Sequence, residues 1–203
     1  MPGDEKSDIR LLWDTFLKGD EKAFARIYYL HINALLTYGK KLTGDREILY
    51  DAVQEVFIDM FQKRQKIQIA INNPKAYLFT ALRHAILKKV QAAHRFDPFE
   101  VDKGKTEVFL VEYSIEDRII NNELTSETAQ KLRAAVDELT PGQKEIIYLK
   151  FEEGLGYPEI SEMMGITLES ARKQLYRALL TLRQIIGNKQ FYIFFSHPTK
   201  NNH

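Results

Sequence analysis

The chain has 203 residues, 44% of them hydrophobic and 28% charged, with a formal net charge of +1 and no cysteine. That length and balance suit one large domain or two small ones and exclude a disordered chain, while the missing cysteines exclude a disulfide framework, a thiolate metal site and a cysteine nucleophile. No apolar run approaches the ~20 residues of a membrane span, and the polar, acidic opening MPGDEKSD is unlike a secretory signal, so a cytoplasmic location is expected.

In chain order, apolar residues recur at helical spacing from Ile9 to about Lys18 and from Glu21 to about Leu42, the second through Phe24, Ile27, Tyr28, Leu35 and Tyr38. Gly19-Asp20 and Thr43-Gly44-Asp45 punctuate these segments as turns and caps. A third helix is expected from about Arg46 to Gln65, and Asn72-Asn73-Pro74 opens a fourth that runs to about Ala93. Four helices with short connections make one compact bundle, residues 1–93. Residues 94–125 lose the pattern, holding Asp97-Pro98, Gly104 and a short apolar run, VFLVEY, at 108–113. A connection of that length is a linker or a functional segment. Helical spacing returns over residues 126–188, and an aromatic tail, 189–203, carries Phe191-Tyr-Ile-Phe-Phe195. The fold class is therefore all-α, an N-terminal bundle and a C-terminal helical domain joined by a long linker.

The C-terminal block has the sharpest local grammar. Thr140-Pro141-Gly142-Gln143 fits a helix start with a capping box, for a helix ending around Gly154. Tyr157 to Met164 is a short helix closed by Gly165, where a tight turn needs a residue without a Cβ. Ile166 is expected as a core plug and Thr167 as the cap of the next helix. Short helix, glycine turn and capped helix is the helix-turn-helix layout. In the second helix Ala171, Leu175, Ala178, Leu179 and Leu182 share the inward face, while Arg172, Lys173, Tyr176 and Arg177 share the other. Ser170, Arg172, Lys173 and Gln174 fall in the first two turns, the part of a recognition helix that reaches base edges. Arg and Lys pair with guanine and Gln with adenine.

Charge is distributed in blocks. From Met60 to Phe96 the chain carries Lys63, Arg64, Lys66, Lys75, Arg83, Lys88, Lys89 and Arg95 with no acidic residue; the next thirty residues are acidic, and Ile166 to Lys189 is again basic. Two basic blocks on one chain suggest two polyanion-facing surfaces. Before them lies Asp51-Ala-Val-Gln-Glu-Val-Phe-Ile-Asp-Met-Phe61, in which Ala52, Val53, Val56, Phe57, Met60 and Phe61 form a core stripe. Asp51, Glu55 and Asp59 recur every fourth residue beside it. Like charges at that spacing repel, so the arrangement invites a cationic partner.

That acidic helix resembles the D-x-x-Q-E-V-F signature helix of bacterial RNA polymerase sigma factors of the small, extracytoplasmic-function type. Asn73-Pro-Lys-Ala-Tyr-Leu-Phe-Thr-Ala-Leu-Arg-His84 resembles the family's promoter-melting, minus-ten helix. Leu139–Gln143 and Tyr157–Ala178, with its Leu175-Tyr-Arg-Ala178, are similar to its minus-thirty-five reader. The likeness covers about residues 10–92 and 126–187. It implies a specificity subunit that binds core RNA polymerase and directs promoter-specific initiation, not an enzyme. By resemblance Asp51, Gln54, Glu55, Ile58 and Asp59 would contact polymerase. Lys75, Tyr77, Arg83, His84, Lys88 and Lys89 would face promoter DNA, as would Ser170, Arg172, Lys173, Gln174, Tyr176 and Arg177 of the reader. Phe79 and Leu82 are expected in the core. A membrane-associated anti-sigma factor is the implied regulator. The chain departs from the family at His84, usually Asn, near Lys88, where the family has an Asp or Asn, and at Gln91-Ala92, usually an Arg pair.

No catalytic constellation competes with this reading. Gly154-x-Gly156 is a lone pair, there is no His-Glu-x-x-His or nucleophile elbow, and His31, His84, His94, His197 and His203 show no ligand spacing. No metal, cofactor or small-molecule substrate is expected. The other class open is a stand-alone helix-turn-helix regulator whose N-terminal bundle serves only dimerisation or sensing.

Overall fold

Gly19 ends the first helix at a backbone angle, φ of 99°, that favours a residue without a side chain, and its N–H closes on the Phe16 carbonyl at 2.8 Å. Such local stops and starts set the architecture of a computed structural model that describes residues 4–66, 73–95, 109 and 126–187. Every element among them is helical, and they fall into two compact units, Met1–Thr106 and Glu107–His203. The aromatic tail and, Phe109 apart, the linker from Phe96 onward lie outside the described residues.

The first unit has four helices: α1 (Asp4–Leu17), α2 (Glu21–Leu42), α3 (Arg46–Gln62) and α4 (Pro74–Arg95). Asp20 caps α2 by accepting from the Ala23 N–H at 2.7 Å, and Asp45 caps α3 through the N–H groups of Glu47 and Ile48. Asn73 does the same for α4 through Ala76. Each cap satisfies donors that the first turn leaves without a partner. Helix α1 starts five residues before the expected Ile9, because its first turns are polar and carry no periodic signal. Helix α3 stops at Gln62 and not Gln65, where Arg64 takes the Phe61 carbonyl at 2.8 Å. The core joins Phe16 of α1, Leu35 and Tyr38 of α2, Leu49 and Met60 of α3, and Leu78, Phe79, Leu82 and Ile86 of α4, all fully buried. Gly39 allows the closest approach: a Cβ there would meet Leu49 Cδ1 at 2.3 Å and Ile86 Cδ1 at 3.3 Å.

The second unit comprises α5 (Ser126–Asp137), α6 (Pro141–Ile147), a π-helical turn (Tyr148–Glu152), α7 (Tyr157–Met164) and α8 (Leu168–Ile186). Thr140 and Gln143 form the expected capping box. The helix after it does not continue unchanged towards Gly154. At Tyr148 it widens, and the Glu153 N–H bonds the Tyr148 carbonyl at 3.2 Å. Gly165 adopts the left-handed conformation, φ 65°, that closes α7. Thr167 then caps α8 through the Ser170 N–H at 3.1 Å. Helix α8 packs against α5, α6 and α7 through Ala171, Leu175, Ala178, Leu182 and Ile186. Leu179 and Ile166 are only half-buried, so Ile166 is no core plug. From the linker, Phe109 is buried with its ring 6.0 Å from that of Tyr148.

Candidate functional site

On α3 the core stripe faces inward and leaves a mixed acidic and polar surface outside. Gln54 and Ile58 are exposed, the latter at 46%. The three carboxylates that repel one another along the helix find cations within the chain. Lys89, from α4, donates to Asp51 Oδ2 at 2.6 Å and forms an ion pair with Glu55 Oε2 at 2.7 Å. Lys63 pairs with Asp59 one turn on. The bond to Asp51, then that to Glu55, raises the Lys89 pKa above its ordinary value.

Beside this face, α2 and α3 enclose an apolar groove of about 750 Å³, lined by Phe24, Tyr28, Ile32, Leu36, Tyr50, Phe57 and Ile58 among others. Its rim is aromatic: Tyr50 is 57% exposed, and the Tyr28 ring lies 4.8 Å from that of Phe57. The sequence reading missed this groove. The available signal was a second i, i+4 series, Tyr28, Ile32 and Leu36, running next to the inward series Ile27, His31 and Leu35.

The basic helix α4 divides its residues between roles. His84 and Lys88 are exposed. Lys75 is half-exposed, with its Nζ 5.6 Å over the Phe79 ring. The Tyr77 ring packs edge-on against Trp13 at 5.9 Å. Burial first, then the nearby Asp59, raises the Tyr77 hydroxyl pKa. Arg83 is 7% exposed, so the structure places it inside the bundle and not on the outward face expected for it. Charge counting could not see this, because a buried arginine needs partners that only the folded chain brings to it. Lys89 is likewise committed to α3. Phe79 and Leu82 are in the core, as expected. Next to Lys75, the buried His31 has its pKa lowered to about 4, by burial first and by the lysine charge second.

On α8 the outward face is formed as expected by Arg172, Lys173, Tyr176 and Arg177, with Tyr176 68% exposed. Lys173 pairs with Glu169 one turn back at 2.6 Å, both well exposed. Arg172 lies over the Tyr157 ring of α7, 5.7 Å from its centroid. Ser170 is half-buried and engaged with Thr167, whose hydroxyl donates to its own at 2.9 Å. Gln174 is half-buried as well, with its Oε1 3.4 Å from where a Cβ on Gly142 would stand. Leu168, the first residue of α8, is 38% exposed and was not anticipated. Among the described residues no group of three or more His, Cys, Asp or Glu could hold a metal ion, and no helix is long and apolar enough to cross a membrane.

The second unit, whose capped, basic helix follows a left-handed glycine turn, has the helix-turn-helix layout of DNA-binding domains. Residues 27–98 match the sequence model of sigma-70 region 2, and residues 129–182 that of sigma-70 region 4. An ECF RNA polymerase sigma factor, SigK of Mycobacterium ulcerans, is 20% identical over 91% of this chain and 97% of its own length. Another, BldN of Streptomyces coelicolor, is 27% identical over 83% of this chain and 62% of itself. The fold is shared with the sigma factor RpoE of Bartonella quintana, solved in complex with the anti-sigma factor NepR, at a TM-score of 0.54 and 21% identity, covering 81% of this chain and 97% of that one. It is shared too with CnrH, solved with the cytosolic domain of CnrY, at 0.53 and 18%, covering 87% and 96%. The chain belongs to the sigma-70 family and is a sigma factor of the extracytoplasmic-function type. A family region across the N-terminal unit leaves the stand-alone regulator without support.

Proposed function

We propose that this sigma factor docks on core RNA polymerase through the outer face of α3 and the groove beside it, and reads promoter DNA through α8. The observation that carries the reading is the outward face of α8, where Arg172, Lys173, Tyr176 and Arg177 stand exposed behind a glycine turn and a threonine cap. Arg172 and Lys173 have the reach for base edges, and Arg177 and Tyr176 for phosphate and sugar. Ser170 supports the helix start, and Gln174 is half-buried with its amide oxygen towards Gly142.

On the first unit, Gln54 and Ile58 line the groove and Asp51, Glu55 and Asp59 run beside them on the outer face of α3, and a helical partner with an apolar ridge and a basic flank fits them. His84, Lys88 and Lys75 are the α4 residues left to meet the minus-ten region, with Tyr77 at its edge; Arg83 and Lys89 serve the fold instead. We assign the protein to the cytoplasm and give it no catalytic step. Its negative regulator is an anti-sigma factor, membrane-associated as in the family pattern, competing for these surfaces.

Reconstituted initiation tests the reading. Core polymerase with this chain is expected to start at defined promoters that core alone ignores. Arg172→Ala is expected to reduce discrimination at one base pair of the upstream element by about 1–3 kcal/mol, read as relative transcript yield on single-base promoter variants. Unchanged discrimination would mean that α8 is not the reader.

A further inference from the structure

Tyr157 opens α7, the helix that precedes the reader. Two cations lie over its ring: Lys150 Nζ at 4.8 Å from the centroid and the Arg172 guanidinium carbon at 5.7 Å. Both are inside the ~6 Å reach of a cation–π contact. Lys150 belongs to the π-helical turn and also donates to the Leu155 carbonyl at 3.3 Å. Its neighbours Leu149 and Leu155 are buried, so the stack is tied to the core of the second unit. Arg172 is otherwise exposed on the outward face of α8.

We propose that Tyr157 is a positioning residue for promoter recognition: it holds the Arg172 guanidinium in one orientation before DNA arrives, and so sets how sharply Arg172 distinguishes its base. The inference rests on the reading of α8 as the recognition helix. A long arginine side chain loses much of its rotamer freedom when its planar fork pairs with a guanine edge. One already held over a ring has less left to lose, which sharpens selection without adding a contact to the DNA. A cation–π contact uses the guanidinium charge and no hydrogen bond, so the N–H groups remain for O6 and N7 of guanine.

The test uses the full chain bound to core polymerase and a promoter library randomised across the upstream element, with enrichment read by sequencing. Arg172→Ala is expected to flatten the preference at one position. Tyr157→Leu and, as a polar non-aromatic alternative, Tyr157→Gln are expected to weaken the preference at that same position by roughly two- to five-fold, the range of an exposed cation–π contact. Tyr157→Phe, which keeps the ring and loses the hydroxyl, is expected to retain it. Combining Tyr157→Leu with Arg172→Ala should add nothing beyond Arg172→Ala. An even loss at all positions, or a Tyr157→Phe profile as weak as that of Tyr157→Leu, would overturn the proposal and point to packing or to a hydroxyl–phosphate contact. If Arg172→Ala itself left the profile unchanged, the failure would lie in the assignment of the recognition helix.

Discussion

Helices α3 and α8 each carry charge on one face and core on the other, yet the two faces are built differently. On α3 the carboxylates are matched within the chain, by Lys89 and Lys63, and the distinguishing surface is the apolar groove next to them. On α8 Lys173 pairs with Glu169, but both are well exposed, and Arg172, Tyr176 and Arg177 stand outward with no enclosed apolar groove described beside them. A face of the first kind suits a protein partner that brings apolar contact and exchanges ion pairs. One of the second kind suits a polyanion, where each cation displaces a counterion. The described residues differ in histidine as well, since His31 is buried in the first unit and residues 126–187 contain none.

That last difference has the largest expected effect. The folded-state pKa of His31 is lowered to about 4 from 6.5. Between those values the unfolded chain binds the proton and the folded one does not, so stability is complete above about pH 6.5 and falls as the pH drops towards 4, by up to about 3 kcal/mol. Denaturant unfolding at pH 7 and pH 5 should show acid loss in the first unit's transition. His31→Leu should flatten it, and an equal pH slope in both units would break the comparison.

Next in size is the groove. Ile58→Asp places a carboxylate on its rim and is expected to weaken polymerase binding by about 2 kcal/mol or more, the scale of an interface hot spot, with promoter choice by the residual complex unchanged. Equilibrium binding to core polymerase measures it. The smallest effect concerns Lys89. As an exposed ion pair its tie to α3 is worth about 0–1 kcal/mol. Lys89→Ala should leave the salt dependence of promoter binding as it was, while Lys88→Ala should lower the slope by about 0.9. Equal slopes for the two variants would return Lys89 to the DNA.

Much of this was legible in the sequence because it is locally encoded. Asp20, Asp45, Thr140, Thr167 and Gly165 announce helix ends through their own side-chain chemistry, and inward residues such as Val56 and Leu175 repeat at the helical period. What escaped depends on neighbours distant in the chain. Arg83 and Lys89 count as basic residues in any tally, and only packing of α4 against α3 draws Lys89 onto Asp51 and Glu55. The groove needs two helices, and a search for one inward stripe passes over the second line Tyr28, Ile32 and Leu36. The π-helical turn has no compositional mark, although it carries the lysine that reaches Leu155 and Tyr157.

The separation of docking from reading is tested most directly by pull-down of core polymerase with two paired variants. Glu55→Lys with Asp59→Lys, on α3, is expected to abolish capture. Arg172→Ala with Lys173→Ala, on α8, is expected to capture polymerase like the unaltered chain while losing choice of promoter. Full capture by the α3 variant would contradict the account, as would lost capture by the α8 variant.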